Sequence, residues 1–211
     1  MNYTLQLKSF RIQDQLFELF APDADAVQQD YRINNIPFPY WSRVWPSAIA
    51  LSRFLLSHPQ YTNNKTVLEL GAGLGLPSIV AAGNAIKVIS SDNVPEAISI
   101  IQQSATHNGL QNLLVQLLDW NMLPENFETD VLLLSDVNYD PALFEIQQKF
   151  ILWFLQKGTT VILSTPQRLM AKDFVEWLLP YCVLQEEAVE DFGERNVVVV
   201  VMVLKDGRLV V

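Results

Sequence analysis

Residues 67–76 read Val-Leu-Glu-Leu-Gly-Ala-Gly-Leu-Gly-Leu, and this stretch decides how the chain folds. The first four residues are mostly apolar and predict a buried strand. Glycine then recurs at Gly71, Gly73 and Gly75, where it lets the backbone bend tightly and approach a ligand without a Cβ clash. Residues 77–82 predict a helix that Gly83 closes. A strand, a glycine turn and a helix together form the opening unit of a parallel α/β sheet.

Strands and helices keep alternating after this unit, which is typical of a sheet covered by helices on both faces. The further strands are predicted at residues 86–91, 113–118, 131–135, 159–164, 182–189 and 197–204. The last two are joined by a short turn at 191–194, so they are expected to pair antiparallel. The predicted fold is an open, doubly wound, mostly parallel, seven-stranded Rossmann-like sheet with an antiparallel C-terminal strand.

Length and composition indicate one folded domain over residues 1–211. Residues 46–211 are expected to form the Rossmann-like core, beginning with a helix at Pro46. Residues 1–45 are expected to form an N-terminal extension with a strand pair between residues 5 and 20. Half of the residues are apolar and 18% are charged, which excludes intrinsic disorder.

The charge balance argues against a nucleic-acid partner. Acidic residues outnumber basic ones, 23 to 14, and the net charge is −9 without any Lys/Arg cluster. A cationic partner such as a basic protein segment suits this charge better.

The longest apolar run, residues 197–204, is far shorter than the ~20 residues that a membrane span requires. Cys182 is the single cysteine, which excludes an intrachain disulfide and a cysteine-cluster zinc site. We therefore predict a cytoplasmic protein with no metal and no membrane or nucleic-acid partner.

Acidic residues end three successive predicted strands, and they indicate a nucleoside site. The dinucleotide fingerprint fails because Leu76 stands where its third glycine belongs, and no Walker pattern follows. Asp92 ends the second strand, where a carboxylate accepts hydrogen bonds from a ribose diol. After the third strand, Asp119 can accept from an adenine amino group and Trp120 can stack on the base. Asp136 follows the fourth strand, at the same edge of the sheet.

Over residues 45–166 the sequence resembles class I, or seven-β-strand, S-adenosylmethionine-dependent methyltransferases. More narrowly, it is similar to methyltransferase family 16, the lysine-methyltransferase-like branch. The resemblance to the class rests on the glycine motif, the acid after the second strand and the acid after the third strand. The resemblance to the branch rests on three further motifs: Trp45-Pro46-Ser47-Ala48 before a helix, Asp119-Trp120, and Asp136-Val137-Asn138-Tyr139.

The resemblance implies a role for each motif. Gly71 and Gly73 would pass beneath the methionine part of S-adenosylmethionine. The other residues implied to bind this cofactor are Glu69 near the methionine amino group, Asp92 on the ribose, Asp119 and Trp120 on the adenine, Trp45 on the outer side, and Ser135. Asp136 and Tyr139 would face the acceptor and the transferable methyl group, as the catalytic pair.

The function implied by the resemblance is S-adenosylmethionine-dependent N-methylation of a protein lysine. Two alternatives stay open at the level of the sequence. The acceptor could instead be arginine, histidine or a small heteroaromatic amine such as nicotinamide. The chain could also be a non-catalytic module that binds the nucleoside without turnover.

Overall fold

The computed structural model describes residues 3–124 and 127–207 and shows nine strands and six α-helices within them. The strands are β1 (Leu5–Ile12), β2 (Gln15–Pro22), β3 (Thr66–Leu70), β4 (Lys87–Asp92), β5 (Leu113–Leu117), β6 (Val131–Ser135), β7 (Thr160–Pro166), β8 (Cys182–Phe192) and β9 (Arg195–Leu204). The helices are α1 (Ala24–Ile33), α2 (Pro46–Ser57), α3 (Leu76–Ala82), α4 (Pro95–His107), α5 (Phe144–Gln156) and α6 (Lys172–Leu178).

Seven strands form one sheet in the order β5-β4-β3-β6-β7-β9-β8. Strands β3 to β7 are parallel, β9 runs antiparallel to β7, and β8 pairs antiparallel with β9. The chain runs outward from β3 to β5 and returns to place β6 beside β3. The strand order therefore reverses between β3 and β6, where open α/β sheets form their ligand crevice.

Side chains of the central strands alternate between two apolar layers, because successive residues of a strand point to opposite faces. Val67 packs in the layer that contains residues of α2, α3 and α4. Leu68 and Leu70 pack in the opposite layer, with residues of α5 and α6. Glu69 lies between these two leucines in the chain, so its side chain points toward α3. The predicted doubly wound, mostly parallel sheet with an antiparallel C-terminal strand is confirmed.

The N-terminal residues form a hairpin and a helix beside this sheet. Strands β1 and β2 pair antiparallel in a separate two-stranded sheet, which confirms the expected strand pair. The hairpin is attached to α4, because the Phe20 backbone N–H donates to the Ser104 hydroxyl at 2.9 Å. The Asn108 side-chain amide donates to the Glu18 carbonyl at 2.7 Å. In the described ranges, no helix has the length and apolar character to cross a bilayer.

Candidate active site

A cavity of about 580 Å³ opens at the carboxyl ends of β3 and β6, which is within the usual size range of small-molecule sites. Its floor is the glycine turn after β3, and the segment 36–45 forms much of its wall. The charged side chains that line it are Arg43, Asp92, Asp136, Asp140 and Arg168. Three acids and two arginines give this wall a net negative charge, which suits a cationic ligand. Within the described parts of the chain, no cluster of metal-ligating side chains is found.

The glycine turn needs its glycines because of both backbone conformation and space. Gly71, Gly73 and Gly75 have φ of 68°, 57° and 77°, in the left-handed region. A Cβ on Gly71 would lie 3.2 Å from the Val137 side chain and 3.3 Å from the Trp120 ring. The turn can therefore pass closely beneath a ligand only because these positions have no side chain.

Asp92 braces the glycine turn and also lines the cavity. Its carboxylate accepts from the Gly73 N–H at 2.9 Å and from the Val94 N–H at 3.0 Å. Burial raises the pKa of Asp92, and these backbone donors act in the opposite direction. Because each carboxylate oxygen has two lone pairs, Asp92 can still accept a hydroxyl of a ribose.

Glu69 lies behind the turn and is not part of the cavity wall. It is fully buried, and one carboxyl oxygen accepts from both the N–H, at 3.0 Å, and the hydroxyl of Ser78 in the first turn of α3. Burial raises the pKa of Glu69 to about 8, so it is mostly protonated at neutral pH. Strand alternation points Glu69 toward α3, and its implied contact with the methionine amino group stays a prediction.

Trp120 and Asp119 end up in different environments. Trp120 lines the cavity and stacks on Phe150, with ring centroids 5.9 Å apart. Asp119 is exposed and does not line the cavity; its carboxylate accepts from the Asn121 N–H at 2.9 Å and caps the short helical turn at Trp120–Met122. The structure therefore brings Trp120 to the site but uses Asp119 to hold the segment that carries it.

An aromatic wall is formed by Phe38, Tyr40, Trp45 and Tyr139, which line the cavity, and by Phe192, which packs beside Trp45 but does not line it. The Trp45 indole N–H donates to the Tyr40 carbonyl at 2.7 Å, and its ring lies 5.5 Å from that of Phe192. Tyr40 stacks on Tyr139 with centroids 4.1 Å apart. Trp45 therefore lines the cavity as predicted and also anchors the wall.

Asp136 lines the cavity in a constrained backbone conformation. Its φ is 56°, its N–H donates to the Ser164 carbonyl at 2.9 Å, and it is 8% exposed. The carboxylate forms an ion pair with Arg168. Burial raises the pKa of Asp136, while the hydrogen bond and charge of Arg168 lower it. Ser135, the preceding residue, also lines the cavity.

Tyr139 lines the cavity as a neutral phenol. Burial, followed by the nearby charge of Asp92, raises its pKa to about 12. It can therefore stack or form a hydrogen bond at neutral pH but does not act as a base. The structure thus brings together all the predicted site residues except Glu69 and Asp119, which support the site from outside the cavity.

Two arginines of the cavity were missed by the sequence reasoning. Arg168 follows β7 by two residues, so the strand-end rule that selected Asp92 and Asp136 could have selected it also. Arg43 packs over the Trp45 ring at 5.6 Å, and its buried Nε has no hydrogen-bond partner. Arg43 lies in an irregular segment, and no sequence pattern marks it.

Comparison with known proteins gives the same family as the motifs. The sequence profile of a family described as "Lysine methyltransferase" matches residues 40–179, which include the cavity floor and the Asp136–Tyr139 segment. The chain belongs to the lysine methyltransferase family. The resemblance to methyltransferase family 16 is confirmed.

Curated relatives of this lysine methyltransferase family differ in the acceptor that their names give. The histone-arginine methyltransferase METTL23 of Rattus norvegicus is 32% identical over 148 residues, covering 67% of this chain and 66% of that protein. The electron transfer flavoprotein beta subunit lysine methyltransferase of Mus musculus is 35% identical over 133 residues, covering 62% and 51%. The chain spans about half to two thirds of the length of these two relatives.

Solved structures share the fold of this family member at low sequence identity. SMU.776 complexed with SAH aligns with a TM-score of 0.66 at 13% identity, over 94% of this chain and 56% of that one. The Thermus thermophilus 16S rRNA methyltransferase RsmC, in complex with AdoMet and guanosine, aligns with a TM-score of 0.65 at 15% identity, over 96% and 50%. These likenesses show the Rossmann-like methyltransferase fold.

Proposed function

We propose that the protein is an S-adenosylmethionine-dependent methyltransferase that N-methylates a protein lysine. One observation carries the proposal: the glycine turn, Asp92 and the Asp136–Tyr139 motif all line a single cavity. Membership of the lysine methyltransferase family supports it. The names of the curated relatives, which specify histone arginine and a lysine of electron transfer flavoprotein, support a protein acceptor.

The residues of the cavity fit this cofactor. A Cβ on Gly71 would press on Val137 and Trp120, and without one the turn offers a bare backbone surface to the methionine part. Asp92 would hold the ribose, and Trp120 would pack on the adenine. Arg43 pairs with Asp25 at 3.4 Å, and its buried Nε, which has no hydrogen-bond partner in the described chain, would be able to donate to the methionine carboxylate. When bound, S-adenosylmethionine supplies an activated methyl group on a positively charged sulfur.

The acceptor end is suited to positioning an amine. A lysine side chain has a solution pKa near ~10.4 and must lose its proton before it can attack. Desolvation in the cavity and a nearby positive charge both lower that pKa. Asp136 would bind and orient the amine, and Tyr139 would pack against it, while water takes the proton. Correct alignment can contribute about 7–11 kcal/mol toward lowering the barrier.

Binding of S-adenosylhomocysteine to the purified full chain is the first test. Isothermal titration calorimetry is expected to show one site per chain. If a well-folded sample does not bind, the proposed cofactor site is wrong. Binding without any methyl transfer to an extract would instead support the alternative of a non-catalytic nucleoside module.

The second test identifies the acceptor. The protein is incubated with tritiated S-adenosylmethionine and a lysate from a strain that lacks it, and the label is separated into protein, RNA and small-molecule fractions. We expect label in protein, as methyllysine after acid hydrolysis. Label in RNA would contradict the predicted absence of a nucleic-acid partner. Label in a small heteroaromatic amine would support that alternative acceptor.

Protein arginine is the second candidate acceptor, because the relatives named METTL23 are histone-arginine methyltransferases. The same hydrolysate distinguishes methylarginine from methyllysine. Histidine methylation would be detected in it as well. The cytoplasmic location remains a prediction from the sequence, and localisation of a tagged full chain tests it.

A further inference from the structure

The carboxylate at the acceptor end of the cavity already has a cationic partner. Asp136 and Arg168 both line the cavity, and the Arg168 guanidinium forms an ion pair with the Asp136 carboxylate. The proposed function assigns that carboxylate to the acceptor amine. Arg168 therefore occupies the position in which an acceptor cation would bind.

Asp136 is held in place by its surroundings. Its backbone N–H is bonded to Ser164, and its carboxylate side chain is 8% exposed. The buried Gln147 side chain donates to the carbonyl of the next residue, Val137, at 2.7 Å. Asp136 therefore cannot easily move away from the cavity, and any opening of the ion pair must come from Arg168.

Arg168 lies on a segment that is anchored at both ends but has free side chains between them. Gln167 donates its backbone N–H to Val198 at 3.3 Å, and Ala171 is buried. Between these anchors, Leu169 is 96% exposed and Met170 is 55% exposed, and the Arg168 side chain itself is 28% exposed. The Arg168 side chain is therefore mostly buried but borders exposed neighbours, so rotation toward solvent is the route by which it would leave the cavity.

An Arg168–Asp136 ion pair at this position would favour positively charged acceptors over neutral ones. A buried carboxylate left without a partner is costly, whereas exchanging one cation for another keeps it paired. A protonated lysine or arginine side chain brings the replacement charge, and a neutral ring nitrogen does not. The nearby ring of Tyr139 can also stabilise a cation.

We propose that Arg168 is the specificity-determining residue of the acceptor end, and that a cationic acceptor side chain replaces its guanidinium on Asp136. The inference rests on the proposed function and narrows its acceptor to a protein side chain that arrives positively charged. It also means that the free enzyme holds its acceptor end closed by its own arginine.

Binding of n-butylammonium, which reproduces the end of a lysine side chain, tests the inference. The full chain is saturated with S-adenosylhomocysteine and titrated with n-butylammonium or, as a neutral comparison, nicotinamide. If Arg168 covers Asp136 most of the time, the apparent Kd for n-butylammonium equals the intrinsic Kd divided by the fraction of molecules in which the site is open. We expect Arg168→Gln to bind n-butylammonium about tenfold more tightly than the wild type, with no such gain for nicotinamide.

Two further variants and a spectroscopic signal serve as controls. Lys172 lies four residues from Arg168, pairs with Glu176 and does not line the cavity. Lys172→Gln therefore also removes one positive charge but should leave the affinity for n-butylammonium unchanged. Arg168→Lys keeps a cation and should bind n-butylammonium more weakly than Arg168→Gln. In NMR spectra of ¹⁵N-arginine-labelled wild type, the Arg168 Nε–H signal is the one that disappears in Arg168→Gln. This signal should shift when n-butylammonium is added. The melting temperature of each variant confirms that it folds.

Three outcomes would overturn the inference. They are equal or weaker n-butylammonium binding by Arg168→Gln, no binding by that variant at all, and binding to wild type without movement of the Arg168 signal. Each can occur while S-adenosylhomocysteine still binds, so each removes the role of Arg168 and leaves the proposed function standing. Failure of S-adenosylhomocysteine to bind removes the proposed function itself.

Discussion

The residues proposed to bind the cofactor (the cofactor end of the cavity) and those proposed to face the acceptor (the acceptor end) are held in place in different ways. At the cofactor end, Asp92 bonds to backbone N–H groups of the adjacent glycine turn and the adjoining helix start. At the acceptor end, the carboxylate of Asp136 is matched by Arg168, a side chain 32 residues away. The cofactor end is thus a property of the sheet and its turns, whereas the acceptor end depends on one contact between two side chains. An acceptor can therefore change within a shared fold without disturbing the cofactor end.

The pH dependence of stability tests whether the cofactor end is supported by a neutral Glu69. Burial raises its folded-state pKa to about 8 from 4.5. The stabilisation by a neutral Glu69 is therefore fully present below pH 4.5 and is lost as pH rises through 8, by on the order of 5 kcal/mol. Glu69→Gln, which stays neutral, should gain stability relative to wild type by that amount between pH 4.5 and 8. Urea unfolding across this range measures the difference. A pH-independent difference would show that Glu69 is ionised in the folded protein.

Asp136→Asn should damage the acceptor end and spare the cofactor end. We expect the initial rate of methyl transfer to lysate protein to fall by about 100-fold or more, because the acceptor loses its orienting charge. The affinity for S-adenosylhomocysteine should stay within about threefold of wild type, since the role proposed for Asp136 is to bind the acceptor amine and not the cofactor. Asp140→Asn is the matched control, because Asp140 also lines the cavity but caps a short helical turn through the Ala142 N–H. Equal losses in both variants would contradict the assigned role of Asp136.

Asp92→Asn should weaken the cofactor end. The carboxylate accepts from two backbone N–H groups, and an amide would turn a donor toward one of them. Hydrogen bonds to a charged group contribute about 1.5–3 kcal/mol, so calorimetry should show S-adenosylhomocysteine affinity about 10–100-fold lower. Asp119→Asn should change the affinity by less than about threefold, because Asp119 lies outside the cavity. A larger loss in Asp119→Asn would place that carboxylate on the adenine after all.

Gly71→Ala gives the smallest effect of the four. A side chain at φ 68° costs about 1–2 kcal/mol, and the new Cβ would press on Val137 and Trp120. The free energy of unfolding should fall by about that amount. Gly83→Ala is the control, because Gly83 has a φ of −63° and its Cβ would meet no atom closer than 3.4 Å. If both variants unfold alike, the left-handed turn does not constrain the cofactor end.

The sequence predicted the parts of the site that follow from strand ends. Gly71, Asp92 and Asp136 each follow a parallel strand, and parallel strands deliver such residues to one edge of the sheet. The orientation of Glu69 was not predicted, because its motif was considered without its strand, and its implied contact with the methionine amino group stays a prediction. Leu68 and Leu70 face one layer, so Glu69 must face the other, toward α3.

The contacts that the sequence did not reveal depend on side-chain partners far apart in the chain. The Arg168–Asp136 pair requires the register of β6 and β7 and the course of the segment after β7. The cap that Asp119 makes was not predicted for a local reason, since an aspartate before a short helical turn caps it as readily as it binds a ligand. Its implied contact with the adenine stays a prediction. Both cases show that a charged residue near a site needs its partner identified before its role can be assigned.

The hairpin of β1 and β2, together with α1, limits how far the protein can be shortened. Tyr3 donates to Asp30 of α1 at 2.8 Å, and the Trp41 indole donates to Tyr31 at 3.1 Å. A Cβ on Gly73 would in turn lie 3.5 Å from the Trp41 carbonyl. Ile12, Leu19 and Val27 of this segment are also buried in the apolar layer that contains α2, α3 and α4. Cutting the chain back to Trp45 would therefore expose that layer and uncover the glycine turn, so a fragment for ligand screening must keep these residues.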